Sequence, residues 1–143
     1  MYRSGYLDLI CELKYLLEVL IHTVFYHYRI YPQGSFQKHR RFGIIVRCQE
    51  KPEVIRYVQQ LTEVLYLLLK DKVLNACSIV LTRKDSGETL ATYNLQVERH
   101  LYMTTISHFD ITSLRDEFAK ALMKFETRAH APEGNNPLSL RFK

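Results

Sequence analysis

Three stretches of the chain carry apolar residues at helical spacing. In the first, from about Tyr6 to Tyr28, Leu9, Ile10, Leu13, Leu16, Leu17, Leu20, Ile21, Val24 and Phe25 recur at steps of three and four residues, which predicts a long amphipathic helix. Asp8, Glu12, Tyr15, His22 and Tyr26 are read as its other side. The apolar arc is wide, so this helix is expected at the centre of the fold, covered on more than one side. Tyr31-Pro32-Gln33-Gly34 ends it, because proline removes a donor and disfavours helix at the residue before it.

The segment Phe42 to Cys48 is short and partly apolar and reads as an edge strand or extended arm. A second helix is expected to begin at Pro52, a residue suited to the first helical position, with Glu53 near the positive end of the helix dipole. Val54, Val58, Leu61, Leu65 and Leu68 form its stripe, flanked by Ile55, Thr62 and Leu69, and it ends near Lys70-Asp71-Lys72. Leu74 to Thr82, a turn at Arg83 to Gly87, and Glu88 to Glu98 then predict a β-hairpin. On its return strand Ala91, Tyr93, Leu95 and Val97 alternate with Thr92, Asn94 and Gln96, so one face is buried and the other wet.

Beyond a loosely patterned link from Arg99 to Phe109, a third helix is expected from about Ser113 to Thr127. Ser113 and Asp116 resemble a capping box, and Leu114, Phe118, Ala121, Leu122 and Phe125 face inward. Pro132 to Pro137 is a loop, and Leu138 to Phe142 begins another alternating strand. The order predicts an α+β domain, three helices packed on one face of an antiparallel sheet that contains a β-hairpin.

Composition supports a folded domain: 143 residues, 47% hydrophobic, 24% charged, with only 5 Gly and 4 Pro. Such a chain is long enough to bury a core and is neither disordered nor a disulfide scaffold. Cys11, Cys48 and Cys77 show no CxxC spacing and read as small hydrophobes in a reducing compartment. Leu16 to Phe25 is broken by Glu18 and His22, short of the ~20 apolar residues a membrane span needs. The charge is uneven. No acidic residue falls between Glu18 and Glu50, and Arg29, Lys38, Arg40, Arg41 and Arg47 lie in that gap, as many charges as the net +5. This predicts either a solvated loop or a contact patch for an acidic partner or a phosphate backbone.

Catalytic patterns do not emerge. His22 and His27 are about 140° apart around a helix and cannot share an ion. His39, His100, His108 and His130 are isolated. There is no GxSxG, HExxH or GxxxxGK[ST] pattern; Gly34-Ser35-Phe36-Gln37-Lys38 has one glycine and no phosphate-wrapping spacing. No metal, no cofactor and no enzymatic activity are expected.

The stretch Phe25 to Lys38, with Tyr31, Pro32, Gly34, Phe36, Gln37 and Lys38 in register, resembles the HORMA-domain family. Within it the likeness is to the branch that supplies the non-catalytic accessory subunit of translesion DNA polymerase zeta. It continues through Pro52-Glu53, Tyr57-Val58-Gln59, the hairpin and the third helix, covering about residues 7 to 143. The resemblance implies a HORMA-like fold and a non-enzymatic adaptor in DNA damage tolerance, one that holds an extended peptide of the polymerase zeta catalytic subunit as an added β-strand. It implies a second, scaffold-polymerase partner, a capacity for homodimers or HORMA heterodimers, and a nuclear setting with the cytoplasm as alternative.

By the same resemblance Tyr57 lines the peptide site, with Phe36 beside it. Lys38 and Lys120 fall on a self-association surface, and Arg40 and Arg41 extend it toward acidic partners. The family pattern continues past the third helix with a mobile safety belt. A chain closing at Lys143 is therefore expected to be a single domain over 1–143 that lacks most of that belt and of the scaffold-polymerase surface. A spindle-checkpoint, meiotic or double-strand-break-repair adaptor is the alternative within the family. Direct nucleic-acid binding through the basic run is the alternative outside it.

Overall fold

A computed structural model describes residues 2–3, 5–99, 102, 109–129 and 138–142 of the chain. Three helices carry the architecture: α1 (Tyr6–His27), α2 (Pro52–Lys70) and α3 (Ile111–Ala129). Three small sheets surround them. Strands β1 (Tyr2–Arg3) and β6 (Phe109–Asp110) pair antiparallel, as do β2 (Phe36–Arg41) and β3 (Ile44–Gln49). The third sheet has the order β4–β5–β7, with β4 (Ala76–Thr82), β5 (Thr89–Val97) and β7 (Leu138–Phe142).

The β4–β5 hairpin follows the expected alternation. Ala91, Tyr93, Leu95 and Val97 are buried, while Asn94 and Gln96 face water. β7 departs from the antiparallel expectation. It runs parallel to β5, Tyr93 opposite Leu138 through Val97 opposite Phe142, because the chain returns to the sheet by way of α3, a crossover that parallel pairing requires.

The segment read as one strand from Phe42 is half of a hairpin. β2 begins at Phe36, and Phe42-Gly43 forms the tip, both residues at positive φ (54° and 81°). Two left-handed residues give the tight turn whose twist matches the strands. The hairpin packs on α1 through Phe36, Val46 and Gln49, all buried.

The expected central position of α1 is realised. α2 lies along one side, the β2–β3 ribbon along another, and Leu17, Leu20 and Ile21 meet Cys77, Ile79, Tyr93 and Leu95 of the large sheet. Phe118 and Leu122 of α3 join the same core. Glu12 and His22, expected on the wet side, are consequently buried. Each is answered: Arg115 of α3 donates to both Glu12 oxygens at 3.2 and 3.4 Å, and the Gln49 N–H donates to His22 Nδ1 at 3.2 Å. Among the described residues no buried side-chain polar atom lacks a hydrogen-bond partner.

Both α1 and α2 stop by the same device. Ile30 N–H bonds Phe25 O and Arg29 N–H bonds Tyr26 O; Val73 N–H bonds Leu68 O and Lys72 N–H bonds Leu69 O. These are Schellman closures, with Arg29 (φ 54°) and Lys72 (φ 59°) in the left-handed position where glycine is usual. The turn at Arg29 thus ends α1 before Pro32 does. Lys72 is held there by its ammonium, 5.1 Å from the Tyr6 ring centroid.

α3 starts at Ile111, so Ser113 lies inside its first turn and not at the position before the helix. The inward side chain expected at Phe125, most of the 99–109 link and the 132–137 loop lie outside the described residues. Cys11, Cys48 and Cys77 are free and half-buried, and burial pushes the thiols of Cys48 and Cys77 up.

Candidate partner-binding site

The helical register of α2 divides its apolar residues between two jobs. Val54, Val58, Thr62 and Leu69 are buried, with Leu65 half-buried on the same face. The buried line is thus turned by about one residue from the expected stripe: Thr62 is in the core and Leu61 is not. Tyr57, Leu61, Val64 and Leu67 are 49%, 39%, 57% and 47% exposed. At about 100° per residue they span an arc of roughly 120° next to the buried face.

Leu65, one turn on from Leu61, meets Cys77 and Ile79 of β4 at a small apolar cleft of about 40 Å³. The water-exposed apolar stripe therefore borders the side of α2 that seats on the sheet. On that sheet β4 and β7 are the outer strands, and among the described residues each pairs on one side only. Unpaired strand edges are templates for another chain.

Tyr57 heads the exposed stripe. Phe36 does not join it. Its side chain is buried, and its ring meets Tyr26 edge-on at 5.2 Å, so it anchors the β2–β3 ribbon to α1 and presents no contact surface. Only the first residue of β2 reaches the core: Phe36 is buried while Gln37 and Lys38 after it are exposed.

The basic residues lie elsewhere. Lys38 is exposed on β2 opposite Arg47, whose guanidinium sits 5.1 Å from the Tyr26 ring centroid. Arg40 and Arg41 close the strand and border a cleft of about 660 Å³ between α1, the hairpin tip and the start of α3. Lys120 is exposed on α3, one turn beyond Asp116 of that cleft, and pairs within its own helix to Glu117 at 3.4 Å. The structure thus gathers Arg40 and Arg41 at one cleft, with Lys120 one turn away, and leaves Tyr57 on a different helix.

Among the described residues no three His, Cys, Asp or Glu side chains converge on a metal position. No helix of the described chain is long and apolar enough to cross a membrane. His22 is the most perturbed imidazole. Burial, and next to it the His39 charge, lower its pKa from 6.5 to about 4, which keeps it neutral and its Nδ1 free to accept from Gln49. Burial pushes the Glu18 carboxyl up, against the Thr62 hydrogen bond and the Lys14 and Arg41 charges that pull it down. These groups serve packing and support no acid–base pair.

Three features escaped the sequence. Leu61, Val64 and Leu67 as surface residues needed the helix register, although Leu67 and Val64 already fell off the expected stripe. The Glu12–Arg115 pair joins residues 103 apart. Gln49 is a buried hub, its side chain donating to Ser35 Oγ and accepting from the Glu50 and Lys51 N–H groups at the start of α2. Nothing in local spacing signals either.

No protein-family model matches the chain. Mitotic spindle assembly checkpoint protein MAD2B is similar to it: the Bos taurus, Homo sapiens and Danio rerio proteins are each 30% identical over 78 residues, 54% of this chain and 36% of the relative. A chain in the crystal structure of a mitotic checkpoint complex superposes with a TM-score of 0.69 over 89% of this chain and 68% of that one, at 16% identity. The chain has a HORMA-like fold and is similar to MAD2B. The similarity reaches about a third of the length of these curated relatives. The exposed stripe lies on α2, which packs along α1, and α1 in turn meets the β4–β5 part of the sheet.

Proposed function

We propose that this chain is a non-enzymatic adaptor that holds an extended peptide of a partner protein as an added strand. The observation that carries the proposal is the β4–β5–β7 sheet, whose outer strands pair on one side only among the described residues. Backbone hydrogen bonds along such an edge supply affinity, and side-chain pockets supply specificity. The apolar stripe headed by Tyr57 supports it, since a tyrosine half in water offers a large contact face at small entropic cost.

The partner we propose is the catalytic subunit of translesion DNA polymerase zeta, which makes the chain an accessory subunit in DNA damage tolerance acting in the nucleus. Similarity to MAD2B and the fold shared with a mitotic checkpoint complex chain support an adaptor role. They leave spindle-checkpoint, meiotic and break-repair partners as the competing assignments. A scaffold polymerase and self-association through the region of Lys38 and Lys120 belong to the same proposal.

Calorimetric titration with extended peptides from the polymerase zeta catalytic subunit tests it. Saturable binding is expected, and N-methylation of alternate peptide amides should abolish it in one phase and spare it in the other, because only every second N–H of an added strand faces the sheet. Equal loss in both phases, or no binding by any such peptide, would overturn strand addition. Direct nucleic-acid binding fits the structure less well. The cleft beside Arg40 and Arg41 is also lined by Glu12, Glu18 and Asp116, which repel a phosphate chain.

A further inference from the structure

The cleft between α1, the β2–β3 tip and the start of α3 is separate from the sheet edge and from the α2 stripe. It is the larger of the clefts described above, about 660 Å³, and its walls include Tyr15, Val19 and Phe42 as well as charged side chains. Its charges are unequally committed. Arg115 is taken up by Glu12, which is only 5% exposed and holds it through two oxygens. Glu18 accepts from Thr62 Oγ1 at 3.3 Å.

Among the described residues neither Arg40 nor Arg41 forms an ion pair with a carboxylate, although the Arg41 charge acts on Glu18 from a distance. Arg40 Nη1 donates to Gly43 O at 3.5 Å, and Arg41 Nη1 donates to Arg40 O at 3.2 Å. Two guanidiniums whose hydrogen bonds to described residues go only to neutral carbonyls keep most of their fork of donors available for a planar carboxylate.

The tip that carries them is fixed. Phe42 occupies the left-handed region (φ 54°), a rare conformation for an aromatic residue that persists only where surroundings hold it. The Phe118 ring of α3 holds it, centroids 5.4 Å apart and nearly perpendicular. The arginines therefore project from a hairpin end braced against α3, at the mouth of a cleft with an exposed tyrosine (Tyr15, 51%) on its α1 wall.

We infer that this cleft is a second docking site, which takes a short acidic–aromatic segment of a partner protein. A carboxylate side chain sits on Arg40 and Arg41, and the neighbouring apolar side chain lies against Tyr15 and Phe42. The occupant follows from charge complementarity. One or two carboxylates are matched by the arginine pair at the rim, whereas a longer run of phosphates would have to pass Asp116 and the carboxylates of α1. The proposal does not depend on strand addition at the sheet.

The test is an NMR titration of the isotopically labelled 143-residue chain with the blocked peptide acetyl-Gly-Asp-Phe-Glu-Gly-amide. Saturable shifts are expected at Tyr15, Arg40 to Gly43 and Asp116. The same peptide with Asn and Gln in place of Asp and Glu should bind at least tenfold more weakly. Arg40→Gln with Arg41→Gln, both on exposed side chains, should remove the shifts, and Tyr15→Ala should weaken binding severalfold. No saturable shift, or equal affinity for the neutral peptide, overturns the inference. So does saturable binding of a short oligothymidylate at these resonances, which assigns the cleft to nucleic acid. So does movement of the same resonances on diluting the protein alone, which assigns it to a second copy of the chain.

Discussion

Helices α1 and α2 lie side by side, are of similar length (22 and 19 residues) and end in the same left-handed closure on a basic residue, yet they do opposite things with their surfaces. α1 is covered on most of its circumference, Leu7 and Tyr15 excepted, so that even Glu12 and His22 are buried and each is given a partner. α2 keeps its charged residues in water, buries of its polar ones only Thr62, and leaves Tyr57, Leu61, Val64 and Leu67 exposed as well. A buried polar group that is satisfied belongs to the architecture; several apolar side chains left in solvent along one helix face form a candidate contact surface. The contrast separates stability from binding, and it can be attacked from either side.

The largest effect is expected in α1. Leu16 is 1% exposed at the centre of the core, and Leu16→Ala removes its transfer free energy and opens a cavity, a loss of about 3 kcal/mol. Urea unfolding should show the midpoint falling accordingly. A change below about 1 kcal/mol would mean that α1 is not the axis of the fold.

His22 gives a loss of similar size that depends on pH. Its folded pKa of about 4 lies below the unfolded 6.5, so the unfolded chain takes up the proton first. The stability contributed by a neutral His22 is complete above about pH 6.5, declines as pH falls, and is lost by about pH 4. The total is about 3 kcal/mol for this side chain, 7% exposed. Unfolding free energies between pH 7 and 4 should show this slope, and His22→Gln should flatten it; an unchanged slope in the variant would assign the acid sensitivity to other groups.

On α2 the same kind of truncation should behave differently. Tyr57→Ala is expected to change stability by no more than about 0.5 kcal/mol, while weakening capture of the extended partner peptide about tenfold. Parallel losses in thermal midpoint and affinity would make Tyr57 a packing residue and would remove the distinction between the two helices at its most exposed point.

How much of this was readable in advance differs along the chain in the same way. The helix bounds of α1 and α2 and the inward set on β5 are local periodicities, and they were legible. The β2–β3 hairpin was not, because its turn is Phe42-Gly43, without the asparagine or aspartate that usually marks a two-residue turn, and its first strand is nearly all polar. The parallel pairing of β7 depends on where α3 delivers the chain. Tyr57 and the arginines could be singled out as candidates from the sequence, but the cleft could not, since it is made by residues from Glu12 to Asp116 that only the fold brings together. That Phe36 is buried against Tyr26 was equally illegible, because its partner lies on another element.

The smallest effect sharpens the comparison where the two helices touch. Glu18 of α1 accepts a hydrogen bond from Thr62 of α2, and Thr62 is fully buried. Burial, the largest influence on this carboxyl, pushes its pKa up despite Thr62, Lys14 and Arg41. The charged form is therefore disfavoured by folding, and the folded state gains stability as pH falls toward the raised value, the reverse of His22. Glu18→Gln keeps an oxygen for the Thr62 hydroxyl and abolishes the buried charge. It should raise stability at pH 7 by less than about 1 kcal/mol and leave stability near pH 4 almost unchanged. If Glu18→Gln instead destabilises the protein at pH 7, then attraction to Lys14 of α1 and Arg41 of β2 outweighs desolvation, and the carboxyl beside the α1–α2 seam is kept for its charge.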